Sequence, residues 1–161
     1  MHRIFPTTDL PRRIPKGLLS CVAALAVLAA AGTTNAATTV GTLTYTEDVT
    51  WTAAGSPYLL TGNVIVGETA TLTVEPGVTV MCAGYTGLIV KGRLVAAGTA
   101  AAPITFTKDD PLSDPWDGIG IEGTSQSPIS GSILDHVIVE GGGKLGAGVL
   151  IHYASVTITN S

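Results

Sequence analysis

Asp109, Asp110, Asp114 and Asp117 lie within nine residues of one another. Carboxylates grouped on flexible backbone suit calcium, which gathers several oxygen ligands. The spacing is not that of an EF-hand loop, and Pro111 and Pro115 restrict which acids can converge. The alternative is a solvated acidic loop. These four are the candidate metal ligands, and Ca2+ is the one cofactor the sequence suggests.

Two histidine pairs follow, Asp135-His136 and His152-Tyr153, spaced about as far apart as one turn of a repeat. Stacked, they would make an acid–base pair or a weak metal site; unstacked, they are structural histidines at strand bends. A glycosidase needs two carboxylates at a fixed separation. Asp117, Glu122, Asp135 and Glu140 are available, and nothing in their spacing pairs them. No catalytic residue is assigned. Glu140–Gly148 (EGGGKLGAG) lacks the spacing of a phosphate-binding loop and a following helix. Cys82 reads as a small buried hydrophobe between two strands rather than a reactive thiol.

The elements that must position these residues are short. Gly62–Thr107 holds Val64–Val66, Thr71–Val74, Val78–Val80, Leu88–Val90, Arg93–Val95 and Ile104–Phe106, each ended by Gly or Pro. Such β-branched runs are too short for helices and suit strands. Glu75-Pro76-Gly77 turns the chain, Pro fixing φ and Gly permitting positive φ. Ile89, Ile119 and Val149 recur every 30 residues, a period that belongs to repeat architectures. Residues 37–61, with Trp51 and Tyr58, are expected to cap the first coil, because terminal repeats need covering. Lys108–Ser132 is the longest polar interruption, with a short strand at Gly118–Ile121; loops of this length are often functional. Ile133–Val139, Gly148–Ile151 and Val156–Thr159 resume the stack, the last reading as a coil cut short by Ser161.

The start of the chain reads as an address. Arg3, Arg12, Arg13 and Lys16 precede the apolar stretch Gly17–Gly32, and Thr33–Ala37 is a small-residue stretch. This is the pattern of a cleavable signal peptide over residues 1–36. Leu18–Ala31 is shorter than the roughly 20 residues a membrane span needs. The expected location is extracellular or cell-surface, in a bacterium, with no membrane span after cleavage. Of 8 basic and 12 acidic side chains, cleavage removes four and one (Asp9). Four and eleven remain, a net charge of −7 with no basic patch. That excludes nucleic acid as a partner. Cys21 leaves with the signal, so Cys82 has no disulfide partner.

Several phrases resemble secreted bacterial right-handed parallel β-helix proteins, the pectate-lyase-like group. They are Ser56–Val64, Ala70–Val78, Gly92–Thr99 running to Pro103–Phe106, Trp116–Ile119, Leu134–Gly142 and Val156–Asn160. The resemblance implies an all-β, right-handed parallel β-helix (solenoid) over residues 62–161. The group includes polysaccharide lyases, hydrolases, adhesins and surface proteins without known reaction. In its lyases, calcium neutralises a substrate carboxylate beside a basic residue; after cleavage this chain offers only Lys91, Arg93, Lys108 and Lys144.

The reading is a secreted or cell-surface structural or binding module that contacts carbohydrate or cell envelope, with self-association possible through an open last coil. The alternative is the N-terminal fragment of a calcium-dependent polysaccharide lyase or glycoside hydrolase. Thr-x-Thr pairs such as Thr71/Thr73 suggest ice-binding solenoids. Leu88–Val90 and Gly118–Ile121 interrupt the row, so outward β-propensity explains the threonines better.

Overall fold

The structure is a computed structural model that describes residues 36–143 and 146–161. Its strands wind in turns of three. β1 (Thr38–Val40), β2 (Leu43–Tyr45) and β3 (Val49–Trp51) form turn 1, and β4 (Tyr58–Leu60), β5 (Val64–Val66) and β6 (Thr71–Val74) form turn 2. Turn 3 is β7 (Thr79–Cys82), β8 (Gly87–Val90) and β9 (Arg93–Ala97); turn 4 is β10 (Ile104–Lys108), β11 (Gly118–Glu122) and β12 (Ile129–Asp135). Turn 5 is β13 (Val137–Val139), β14 (Val149–His152) and β15 (Ala154–Thr159). Every third strand pairs, always in parallel. Sheet A is β1-β4-β7-β10-β13, sheet B is β2-β5-β8-β11-β14, and sheet C is β3-β6-β9-β12-β15. The chain is a right-handed parallel β-helix, the hand that strand twist imposes on parallel crossovers.

The core is built from ladders of inward side chains. Leu43, Val64, Leu88, Ile119 and Val149 stack in sheet B. Trp51, Val74, Ala96, Leu134 and Ile158 stack in sheet C, and Tyr58, Val80, Phe106 and Val139 in sheet A. Alternation along each run makes this possible: Leu72 and Val74 are buried while Thr71 and Thr73 face outward. The corner after β6 uses Gly77 at φ 79°, as its Pro-Gly sequence predicts.

Several expectations are refined. Residues 37–61 are not a separate element; they form turn 1 and the first strand of turn 2. Trp51 and Tyr58 are buried there and stacked, their ring centroids 5.0 Å apart. The 30-residue interval holds from Ile119 to Val149, which pair. It slips by one between turns 3 and 4, where Leu88 pairs with Ile119 and Ile89 with Gly120. A loop one residue longer costs the solenoid nothing, whereas a shifted register would turn Leu88 outward. The run Ile133–Val139 is two strands, broken at His136 (φ 49°), where the chain passes from sheet C to sheet A. Cys82 ends β7 rather than lying between strands. Lys108–Ser132 resolves into two loops, 109–117 and 123–128, at different corners on either side of β11. Residues 1–35 of the expected signal peptide lie outside the described residues. Among the described residues no helix is long and apolar enough to cross a membrane.

Candidate functional site

On the outer face of sheet B the side chains Thr44, Ile65, Ile89, Gly120 and Leu150 occupy one row across the five turns. Gly120 interrupts it. With hydrogen where its neighbours carry butyl groups, a trough opens over β11. It is lined by Gly87, Ile89, Asp117, Gly118, Ile119, Gly120, Glu122, Ala147 and Leu150, with a cavity volume of about 90 Å³. That is well under the roughly 300 Å³ of a pocket that engulfs a small molecule. The trough can therefore grip one face of an extended ligand rather than enclose a compact one.

It holds two acids, Asp117 at one end and Glu122 over its middle. Asp117 precedes β11 and donates its backbone N–H to the Thr86 carbonyl at 2.8 Å. Glu122 closes β11, and its carboxylate bends back over Gly120, close to where a Cβ would sit. Gly87 is anchored by its N–H on Asn63 Oδ1 at 2.9 Å, and Gly118 takes φ 99°. A Cβ on Gly118 would also press on the carbonyl oxygens of Ala147 and Gly148, so the edge of the trough requires glycine there.

Beyond Glu122, at the corner from sheet B to sheet C, lies a polar recess of about 220 Å³ lined by Glu68, Lys91, Glu122, Gly123, Thr124, Ser127 and His152. Glu122 and His152 are register partners on β11 and β14. Trough and recess share Glu122, so an apolar strip with carboxylates runs into a polar corner.

The four candidate calcium ligands are not assembled. Among the described residues no three of the His, Cys, Asp and Glu side chains group to hold a metal ion. Local turn chemistry spreads the aspartates instead. Asp109 Oδ1 accepts from the Asp110 N–H at 2.8 Å and the Ser113 hydroxyl at 3.2 Å. Asp110 Oδ1 accepts from the Leu112 N–H at 2.8 Å. Asp114 turns to Tyr85, whose hydroxyl its carboxylate holds above the ordinary pKa. Asp117 faces the trough. Lys108 fastens the loop from below by donating its ammonium to the carbonyls of Pro111 and Ser113.

The histidines are not brought together either. His136 lies at the corner from sheet C to sheet A, whereas His152 ends β14 in sheet B and packs edge-on against Tyr153 with centroids 4.4 Å apart. Asp135 Oδ1 accepts from Asn160 Nδ2 at 2.9 Å and Thr159 Oγ1 at 2.8 Å, with His136 Nδ1 at 3.1 Å. Asn160 first, then Thr159, hold that carboxyl below its ordinary pKa. This is a structural cluster that ties turn 5 to turn 4. Cys82 is fully buried, and desolvation followed by the Asp109 charge pushes its thiol up to about 12.

Of the sequence candidates, Asp117 and Glu122 reach the trough. Ile89, Gly120 and Leu150 carry no chemistry in isolation; the signal that could have found them is the outward row that follows once the sheet B register is known. A family model described as a pectate-lyase like beta helix domain matches residues 41–139, the span from turn 1 to the end of β13. The chain belongs to this pectate-lyase-like β-helix family. No curated protein and no solved structure matches the sequence. Membership makes the chain a carbohydrate-related β-helix module; the trough crosses β8 and β11 within the matched span and β14 just beyond it.

Proposed function

We propose that this β-helix domain binds a polysaccharide or another glycan of the cell envelope along the outer face of sheet B, outside the cell or at its surface. One observation carries the reading: the trough of Ile89, Gly120 and Leu150, lined by the carboxylates of Asp117 and Glu122. Apolar strips accept the C–H faces of sugar rings, and carboxylates beside them accept hydroxyl hydrogens. Its open form suits a chain that continues past the protein on both sides. The expected export signal over residues 1–36 supports the location.

The test is retention of the full chain on immobilised neutral and acidic polysaccharides, compared with Gly120→Leu. A Cβ at position 120 meets only the Glu122 carboxylate, the far end of a flexible side chain, so the fold can accommodate the change. The variant should fold normally and lose retention on whichever polysaccharide holds the parent. Equal retention of parent and variant would remove the trough from consideration.

A further inference from the structure

We infer that a second recess, between turns 2, 3 and 4 at the corner from sheet B to sheet C, binds a sulfate or phosphate ester carried on a glycan. The charge distribution points there first. The described residues contain eleven carboxylate side chains and only Lys91, Arg93 and Lys108 as permanent cations. Lys108 is committed to the Pro111 and Ser113 carbonyls. The other two both line this one recess of about 200 Å³, together with Glu68, Thr71, Ser127 and Ser130. Neither forms an ion pair with a carboxylate among the described residues, where the one acid–base contact within range is Asp135 with His136.

The backbone that carries both cations is held in place, and the Arg93 side chain is held as well. Gly92 between them packs against the carbonyl oxygens of Gly67 and Ala70 so closely that a Cβ has no room. The Lys91 N–H donates to the Val66 carbonyl at 2.8 Å and the Arg93 N–H to the Ala70 carbonyl at 3.0 Å. Arg93 Nε donates to the Gly131 carbonyl at 2.6 Å. Gly131 sits at φ 79° inside a register irregularity of β12, between Ile129 and Ser132. This bulge aims a carbonyl at the guanidinium and fixes it, a use to which bulges are commonly put. The terminal guanidinium nitrogens meet no acceptor among the described residues, so the fork stays open for an anion.

The donor arrangement selects the anion. The lining draws Lys91 and Arg93 from turn 3, Thr71 from turn 2, and Ser127 and Ser130 from turn 4. Donor-bearing residues from three successive turns suit the three terminal oxygens of a tetrahedral ester; a carboxylate accepts in one plane. Glu68 opposes any anion and sets a lower affinity than the cations alone would give. That the carrier is a glycan rests on the trough reading, because this recess shares Glu68, Lys91 and Ser127 with the polar recess leading to Glu122; the anion site itself does not.

Affinity electrophoresis of the full chain through dextran, carboxymethyl-dextran and dextran sulfate of matched charge density tests the inference. Dextran sulfate should retard the protein far more than carboxymethyl-dextran does. Lys91→Ala should weaken that retardation at least about tenfold, as loss of a charge-assisted bond implies, and Glu68→Gln should strengthen it. Equal retardation by the carboxylated and sulfated polymers, or a Lys91→Ala variant that migrates like the parent, would overturn the site. Lys91 is exposed, so its loss does not threaten folding. Retardation that survives Gly120→Leu but not Lys91→Ala would uphold the anion site while refuting the trough as the face that holds the carrier.

Discussion

Replacing Gly92 with alanine should break the corner between turns 2 and 3. A Cβ there would lie against the carbonyl oxygens of Gly67 and Ala70, well inside the 3.0 Å that Cβ atoms respect, and both obstacles are backbone. Relief requires the third turn to lift from the second by about 1 Å at this corner. Three hydrogen bonds span that gap: Lys91 N–H to Val66 at 2.8 Å, Gly92 N–H to Val66 at 3.2 Å and Arg93 N–H to Ala70 at 3.0 Å. At about 1 kcal/mol each, Gly92→Ala should cost about 3 kcal/mol. Gly41→Ala is the control, since nothing lies within 4 Å of a Cβ there and its φ is ordinary; it should stay within about 0.5 kcal/mol of the parent. Urea unfolding followed by tryptophan fluorescence reads both, because Trp51 in turn 1 and Trp116, just before β11 in turn 4, are buried on either side of the affected corner. If Gly92→Ala unfolds at the same urea concentration as Gly41→Ala, the close packing of successive turns inferred here is wrong.

Other consequences can be checked independently. Cys82, with its thiol raised to about 12 and no exposure, should resist iodoacetamide at pH 8 in the native protein and react once urea unfolds it. Asp135 has a folded pKa below its ordinary 3.8. Its contribution to stability is therefore complete above that value and lost as pH falls through the lowered folded pKa. Asp135→Asn should flatten the acid limb of a stability–pH profile, and an unchanged limb would count against the Asn160 and Thr159 contacts. On turn 5, Ile138, Ile151 and Ile158 are 45, 42 and 48 % exposed on strands outermost in their sheets. Exposed apolar edges template pairing, so we propose that this chain self-associates there. Sedimentation should show association that Ile158→Lys weakens, and a parent that stays monomeric at all concentrations would refute it.

Much of the fold was legible because a solenoid is written locally. Thr71–Val74 and Glu75-Pro76-Gly77 state a strand and a corner without reference to anything distant. Pairing is different. The slip that sets Leu88, not Ile89, against Ile119 depends on loop length and on which residues must face inward, and no local rule states it. Thr38–Val40 escaped notice because two threonines and a valine gain strand character only beside Tyr58–Leu60. The four aspartates of the calcium expectation lie apart for a similar reason. Asp109 and Asp110 are adjacent in sequence, yet each turns Oδ1 to a neighbouring N–H within the loop. The trough was hidden more deeply, since it consists of a missing side chain at Gly120 between residues contributed by three different turns.

The most direct test of the account is to titrate the isotope-labelled chain with an oligosaccharide cut from the polysaccharide that retains it, and to follow backbone amide shifts. The account predicts that the largest shifts fall on Ile89, Gly120, Glu122 and Leu150, the outward positions of β8, β11 and β14. Shifts confined to the outer faces of sheets A or C would contradict it.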